Sequence, residues 1–203
     1  WAAALQQARR FEGELLWLPK RERQPQALPL LVLVDVSGSM ERYARLLLAF
    51  LHNATRQSPR AVFAFGTDLT DLRPAFRHRD TDHMLEAANT QIVDFAGGTR
   101  LGASLASLRE HHARCLVGRR TVVLLISDGL DTGEPEALDH ELQRLKRHCR
   151  RLLWLNPLLR FEGYAPLASG AQRLHQHADG MLAVHNLARL EDLAQAMAWL
   201  MKR

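Results

Sequence analysis

The chain has 203 residues, 27 Lys or Arg against 22 Asp or Glu, a formal net charge of +5 and 47% apolar residues. That size and apolar content describe one well-buried globular domain with a short lead-in. No apolar stretch is long enough to cross a bilayer, and Arg9, Arg10, Glu12 and Glu14 stand where a secretory signal needs an apolar core.

In chain order, residues 1–13 suit a short helix and 14–18 a strand ended by Pro19, and residues 20–29 form a connector punctuated by prolines. Residues 1–28 therefore read as lead-in and 29–203 as the domain proper. The chain opens on Trp1, which suggests a fragment or a processed product. Residues 30–34 are continuously apolar, as expected of a strand buried on both faces. Tyr43, Leu46, Leu47, Phe50, Leu51 and Ala54 recur at helical spacing. Strands are expected at 61–65 and 69–76, the second at an edge because of Pro74. A short helix follows at 81–89. Leu101, Leu105, Leu108 and His112 mark the next helix, and 121–126 is another apolar strand.

Leu138, Leu142, Leu145 and Cys149 share one face of a helix that starts after Pro135. A strand at 152–155, a weak helix at 167–178, a strand at 181–184 and an amphipathic helix at 190–201 complete the pattern. The alternation implies an α/β fold: a doubly wound, mostly parallel sheet with helices on both faces and one antiparallel edge strand. Right-handed crossovers then gather the carboxyl ends of the parallel strands at one end of the sheet.

Three loops leave from that end. The first carries Asp35, Ser37 and Ser39, the second is Gly97-Gly98-Thr99, and the third is Ser127-Asp128-Gly129. In a tight turn, residues two apart can face one point, with Gly38 permitting the bend. Asp35, Ser37, Ser39, Thr99 and Asp128 form an all-oxygen donor set without sulfur or imidazole. That set suits Mg²⁺, or Mn²⁺ or Ca²⁺, and not zinc. Taken singly, each residue has an ordinary alternative: Asp35 as a strand-end cap, the serines and Thr99 as helix caps, Asp128 as a turn residue. The hydroxyls are neutral, and if the two carboxylates act partly through water, an ion keeps positive charge for an incoming carboxylate.

Asp-x-Ser-x-Ser, a later Thr after a Gly pair and a Ser-Asp-Gly resemble the metal-ion-dependent adhesion site (MIDAS) of von Willebrand factor type A (VWA) domains. The resemblance covers residues 29–201. It implies that Ser37, Ser39 and Thr99 bind the metal directly and that Asp35 and Asp128 act through water. The stretches beginning at Phe95, Val123 and Leu153, with Val184-His-Asn-Leu, are similar to the CoxE-like bacterial branch. That likeness implies a cytoplasmic protein, or one seated peripherally at the inner membrane. It also implies a MoxR-type AAA+ ATPase as partner and a client metalloenzyme, such as a molybdenum-containing carbon monoxide dehydrogenase.

Other features point elsewhere. His111-His112 and His175-x-His177 lack a third ligand and read as surface or packed histidines. His185 and Arg100 are candidates for the docking surface, and Asn156 and Pro157 for its rim. Trp154 is expected in the core. Asp131 and Glu134 are either outer carboxylates of the site or helix N-terminal charge. Cys115 and Cys149 suggest no disulfide scaffold, Cys149 being expected as a buried free thiol in a reducing compartment. The arginines are scattered without interleaved aromatics, which argues against nucleic acid and for an ordinary solvated surface with some preference for acidic partners. No dinucleotide fingerprint or nucleotide-hydrolysing loop is present. A non-enzymatic interaction module is therefore expected. The alternatives are a metal-dependent phosphoester hydrolase and an extracellular adhesion domain.

Overall fold

A computed structural model of the chain describes residues 27–92, 98–161 and 163–184. The expected strand at 14–18, the helix at 190–201, Gly97 and His185 lie outside the described residues.

The centre of the fold is β1 (Leu30–Asp35), in which all six residues are buried. Its pattern has no polar alternation because helices cover both faces. Helix α1 (Glu41–Ala54) follows, then β2 (Arg60–Phe65), β3 (Leu69–Asp71), a 3-10 turn (Ala75–Arg77) and α2 (Thr81–Gln91). Next come α3 (Leu101–His111), the single turn α4 (Ala113–Leu116), β4 (Val122–Ile126) and α5 (Pro135–His148). The described chain finishes with β5 (Arg151–Asn156), a 3-10 turn (Pro157–Arg160), α6 (Ser169–His177) and β6 (Gly180–Ala183).

The six strands lie in the order β3-β2-β1-β4-β5-β6. All pairings are parallel except β2 with β3. The expected doubly wound α/β sheet with one antiparallel edge is thus present. The side chains of β1 split by parity between two cores. Val32 and Val34 pack with Leu47, Leu48, Met84 and Leu85 of α1 and α2. Leu31 and Leu33 pack on the other face with Leu101, Leu105, Leu138, Leu142 and Leu174 of α3, α5 and α6. Trp154 is fully buried in this second core.

Two expectations change. Strand β3 stops at Asp71 instead of running to 76. The Asp71 carboxylate accepts from the Arg73 backbone N–H and guanidinium, which turns the chain, and Pro74 then opens the 3-10 turn. Cys149 lies one residue past the end of α5, half-buried against the second core rather than fully enclosed. Its thiol is nevertheless pushed up to about 11, chiefly by burial. Both cysteines are free thiols. No helix among the described residues is long and apolar enough to cross a membrane.

Candidate metal-ion docking site

Strand order reverses at β1, since β2 leaves to one side and β4 to the other. Crevices at such switch points are where open α/β sheets place ligands. Asp35 is the last residue of β1 and is fully buried. Val34 pairs with Ile126, so Asp35 and Ser127 leave the sheet side by side. The Asp35 carboxylate accepts from the Ser37 N–H at 3.0 Å and from the Ser127 hydroxyl at 2.7 Å. Burial pushes Asp35 up to about 6, against the lowering effect of those bonds, and the nearby Asp128 carboxylate raises it further.

Ser37 is buried and Ser39 is exposed, with their hydroxyl oxygens 3.3 Å apart. Neither caps α1, whose N-terminus at Met40 has no side-chain cap bond. The same holds for Thr99. Helix α3 begins at Arg100 without a side-chain cap of its own, and the Leu101 N–H donates instead to Asp131 at 2.9 Å. Thr99 is buried, and its loop is pinned on both sides. The Thr132 N–H and hydroxyl each donate to the Thr99 carbonyl at 2.9 Å, while the Arg100 N–H donates to the Gly66 carbonyl just beyond β2. Asp128 is buried, and its Oδ1 accepts from the Leu130 N–H at 3.0 Å. Each of the five sequence-predicted residues therefore sits at the same end of the sheet, and the capping alternative for Ser37, Ser39 and Thr99 does not occur.

Two residues of the site went unassigned in the sequence. Ser127 bonds Asp35 and also accepts from the Gly129 N–H at 2.9 Å, so it ties the first loop to the third. Thr132 holds the second loop to the third. The signal for Ser127 was its position opposite Asp35 at the end of the neighbouring apolar strand; Thr132 left none. Gly129 has φ +84° and lies where a Cβ would meet Ala171 at 2.8 Å. The turn thus needs both the left-handed conformation and the absent side chain. Trp154 Nε1 donates to the Ser127 carbonyl at 2.9 Å, fixing the third loop from below.

Asn156 is buried. It accepts from the Leu158 N–H and donates to the Tyr164 hydroxyl at 2.9 Å, so it shapes the rim on the β5 side. Asp131 caps α3 across the loop and Glu134 starts α5 without a cap bond, so the N-terminal-charge reading holds for Asp131. Arg100 is exposed. Four large apolar side chains are exposed among the described residues: Leu46, Leu130, Phe161 and Leu167. Leu130 sits two residues after Asp128, and Phe161 and Leu167 lie in the segment between Asn156 and α6 that also carries Tyr164. The histidine pairs bind nothing in common. His111 is exposed, and His112 packs its ring 4.9 Å from Phe63. His177 reaches Asp139 at 2.8 Å, and His175 is exposed.

The donor set fits a hard cation. Asp35 and Asp128 are buried carboxylates close enough to repel. Among the described residues, neither is paired with Lys, Arg or His. Burying anionic charge without a counter-charge is costly. No cluster of three His, Cys, Asp or Glu occurs among the described residues, which sets the site apart from imidazole- or thiolate-based metal centres.

The model of the family described as "VWA domain containing CoxE-like protein" matches residues 1–190. No curated protein matches the sequence. Among solved structures, a von Willebrand factor type A protein from Catenulispora acidiphila matches with TM-score 0.62 and 20% identity, over 87% of this chain and 43% of its own. Proximal thread matrix protein 1 of the mussel byssus, with zinc occupying its MIDAS motif, matches at 0.59 and 17% identity, over 89% and 49%. The manganese-loaded TRAP protein of Plasmodium vivax matches at 0.50 and 21% identity, over 66% and 57%. These likenesses show the fold. The chain spans less than half the length of the first two.

Proposed function

This chain belongs to the family of CoxE-like proteins that contain a VWA domain, and from that premise we propose that it is a metal-dependent docking module and not an enzyme. Ser37, Ser39 and Thr99 would hold a divalent cation directly, with Asp35 and Asp128 acting partly through water. When bound, the ion supplies a Lewis-acidic position that takes one carboxylate oxygen from a partner. The observation that carries this reading is the state of the donors: two buried carboxylates without a cationic partner among the described residues, beside three hydroxyls that cap no described helix.

Each residue has a distinct task. Ser127 keeps the Asp35 carboxylate oriented, and the Ser37 N–H does so from the other side. Thr132 and the Gly66 carbonyl hold the Thr99 loop in register. Leu130, Phe161 and Leu167 flank the Asp128 side with exposed apolar surface. The docked segment therefore carries an Asp or Glu next to apolar residues. Among divalent ions we favour Mg²⁺, with Mn²⁺ and Ca²⁺ as substitutes, because hard oxygen donors suit them. Zinc in the MIDAS of the mussel protein makes it the competitor to test. The partner is a MoxR-type AAA+ ATPase, and the client a metalloenzyme of the carbon monoxide dehydrogenase kind. The protein works in the cytoplasm, within reach of the inner membrane.

Calorimetric titration with MgCl₂, MnCl₂, CaCl₂ and ZnCl₂ tests the site, with Asp35→Ala and Ser37→Ala as controls. Pull-down of the AAA+ ATPase with and without EDTA tests the docking. Retention of the partner by both variants in EDTA refutes the docking mechanism. Turnover of p-nitrophenyl phosphate that disappears in Asp35→Ala decides for the hydrolase instead.

A further inference from the structure

Helices α3 and α5 lie side by side on the second core, but their spacing is uneven. At their N-terminal ends, near the docking site, a Cβ on Gly102 would stand 3.1 Å from the Leu138 backbone nitrogen. The two backbones touch there. Toward their C-terminal ends they part, and a groove of about 570 Å³ opens between them. Its floor is aliphatic, made by Leu105, Leu108, Leu145 and Val117.

The rim carries Arg109, Arg114, Arg144 and His148 against Glu110 and Glu141, so positive side chains outnumber negative ones. Arg109 is engaged within the protein, with Nε 3.1 Å from Glu141 and Nη2 3.0 Å from Glu110. Arg114 and Arg144 also line the groove, are exposed, and make no ion pair with a described residue. The last turn of α5 adds exposed Arg147, and the loops that return the chain to β4 and β5 add exposed Arg119 and Arg150 at the same end. The nearby Asp179 carboxylate is already held by Lys146 and Arg151. Unlike the docking site, this end of the molecule offers positive side chains around an apolar trough.

We propose that the α3/α5 groove binds an acidic amphipathic segment of a second protein, its aliphatic side chains on the leucine floor and its carboxylates against Arg114 and Arg144. Charge complementarity selects this occupant, and helix-in-groove recognition supplies the mode. Nucleic acid fits less well, because no Phe, Tyr or Trp lines the groove to stack a base, and its one ring, His148, is tied through Nδ1 to the Arg144 carbonyl at 2.8 Å. The groove and the docking site are at opposite ends of α3 and α5. Binding here is independent of divalent cation, and the module can hold two protein elements at once.

The test uses the full chain and a fluorescein-labelled helical peptide with Leu at positions i, i+4, i+7 and i+11 flanked by Glu. Fluorescence anisotropy should show saturable binding that weakens with salt. It should fall roughly tenfold in the Arg114→Glu/Arg144→Glu variant, since two attractive surface pairs become repulsive. A Gln-for-Glu peptide should bind more weakly, and EDTA or Asp35→Ala should change nothing. Both arginines are exposed, so the double variant keeps its fold, which circular dichroism checks. Absence of peptide binding, unchanged affinity in the double variant, or preference for an oligothymidylate 20-mer overturns the proposal. So does a photo-crosslinker at position 144 that captures this chain's own residues 1–26 or 185–203 and excludes the peptide.

Discussion

The two ends of the sheet are made by the same strands and carry opposite chemistry. At the carboxyl end, Asp35 and Asp128 are buried, mutually repelling and without a cationic partner among the described residues. At the amino end, cations already serve the fold. Arg60, at the start of β2, donates to the His52 carbonyl at 2.6 Å, the Thr55 hydroxyl at 2.8 Å and the Phe76 carbonyl at 3.1 Å, closing the C-terminus of α1. Parallel topology explains part of the contrast. It aims helix N-termini at one end and C-termini at the other, favouring acids at the first and bases at the second. It does not explain why the acids are buried unpaired. At the amino end Arg60 is satisfied within the chain, whereas at the carboxyl end Asp35 and Asp128 are buried without a cationic partner among the described residues.

That contrast can be broken first at Gly129. Gly129→Ala adds a Cβ 2.8 Å from Ala171 in a left-handed turn, and should cost about 2–4 kcal/mol in urea unfolding. Arg114→Ala at the other end should stay within about 0.5 kcal/mol of the parent.

The next effect is a pH slope. Asp35 sits at about 6 in the folded chain against an ordinary 3.8. Without metal, its contribution to stability is fully present below pH 4 and is lost as pH rises through 6. A displacement of about two pH units comes to about 3 kcal/mol. Urea titrations in EDTA between pH 4 and 8 should show this decline, Asp35→Asn should flatten it, and MgCl₂ should reverse it in the parent protein. A parent and an Asp35→Asn variant with the same slope would remove the carboxyl end's special status.

Arg60→Ala should cost about 2 kcal/mol, from several bonds to carbonyls left without a donor. This loss should be indifferent to divalent ions. The smallest effect concerns the thiols. Exposed Cys115 should react with iodoacetamide at pH 8, while Cys149, pushed up to about 11, should resist until the protein unfolds.

The architecture was legible because its signals are continuous. The runs at 30–34 and 121–126 are too apolar for a one-sided strand, and Pro135 marks the start of α5. That Asp35, Ser37, Ser39, Thr99 and Asp128 share one end of the sheet was legible because the strand ends of a parallel sheet gather there, so residues far apart in sequence can be placed together. Ser127 and Thr132 were harder. Their roles arise from hydrogen bonds between loops, and no periodicity encodes which loop reaches which. Strand 69–76 was overextended because the local Asp71–Arg73 bond, which turns the chain, competes with the ladder at short range. The cationic groove was invisible for a related reason. Its arginines looked scattered in the sequence, and the crossover topology collects them at one end.

The brevity of β3 has a consequence for behaviour in concentrated solution. A sheet border of three residues, Leu69–Asp71, closed by a carboxylate-guanidinium pair and followed by Pro74, presents almost no unpaired ladder to a stray strand. This flank of the molecule should resist sideways growth into fibrils.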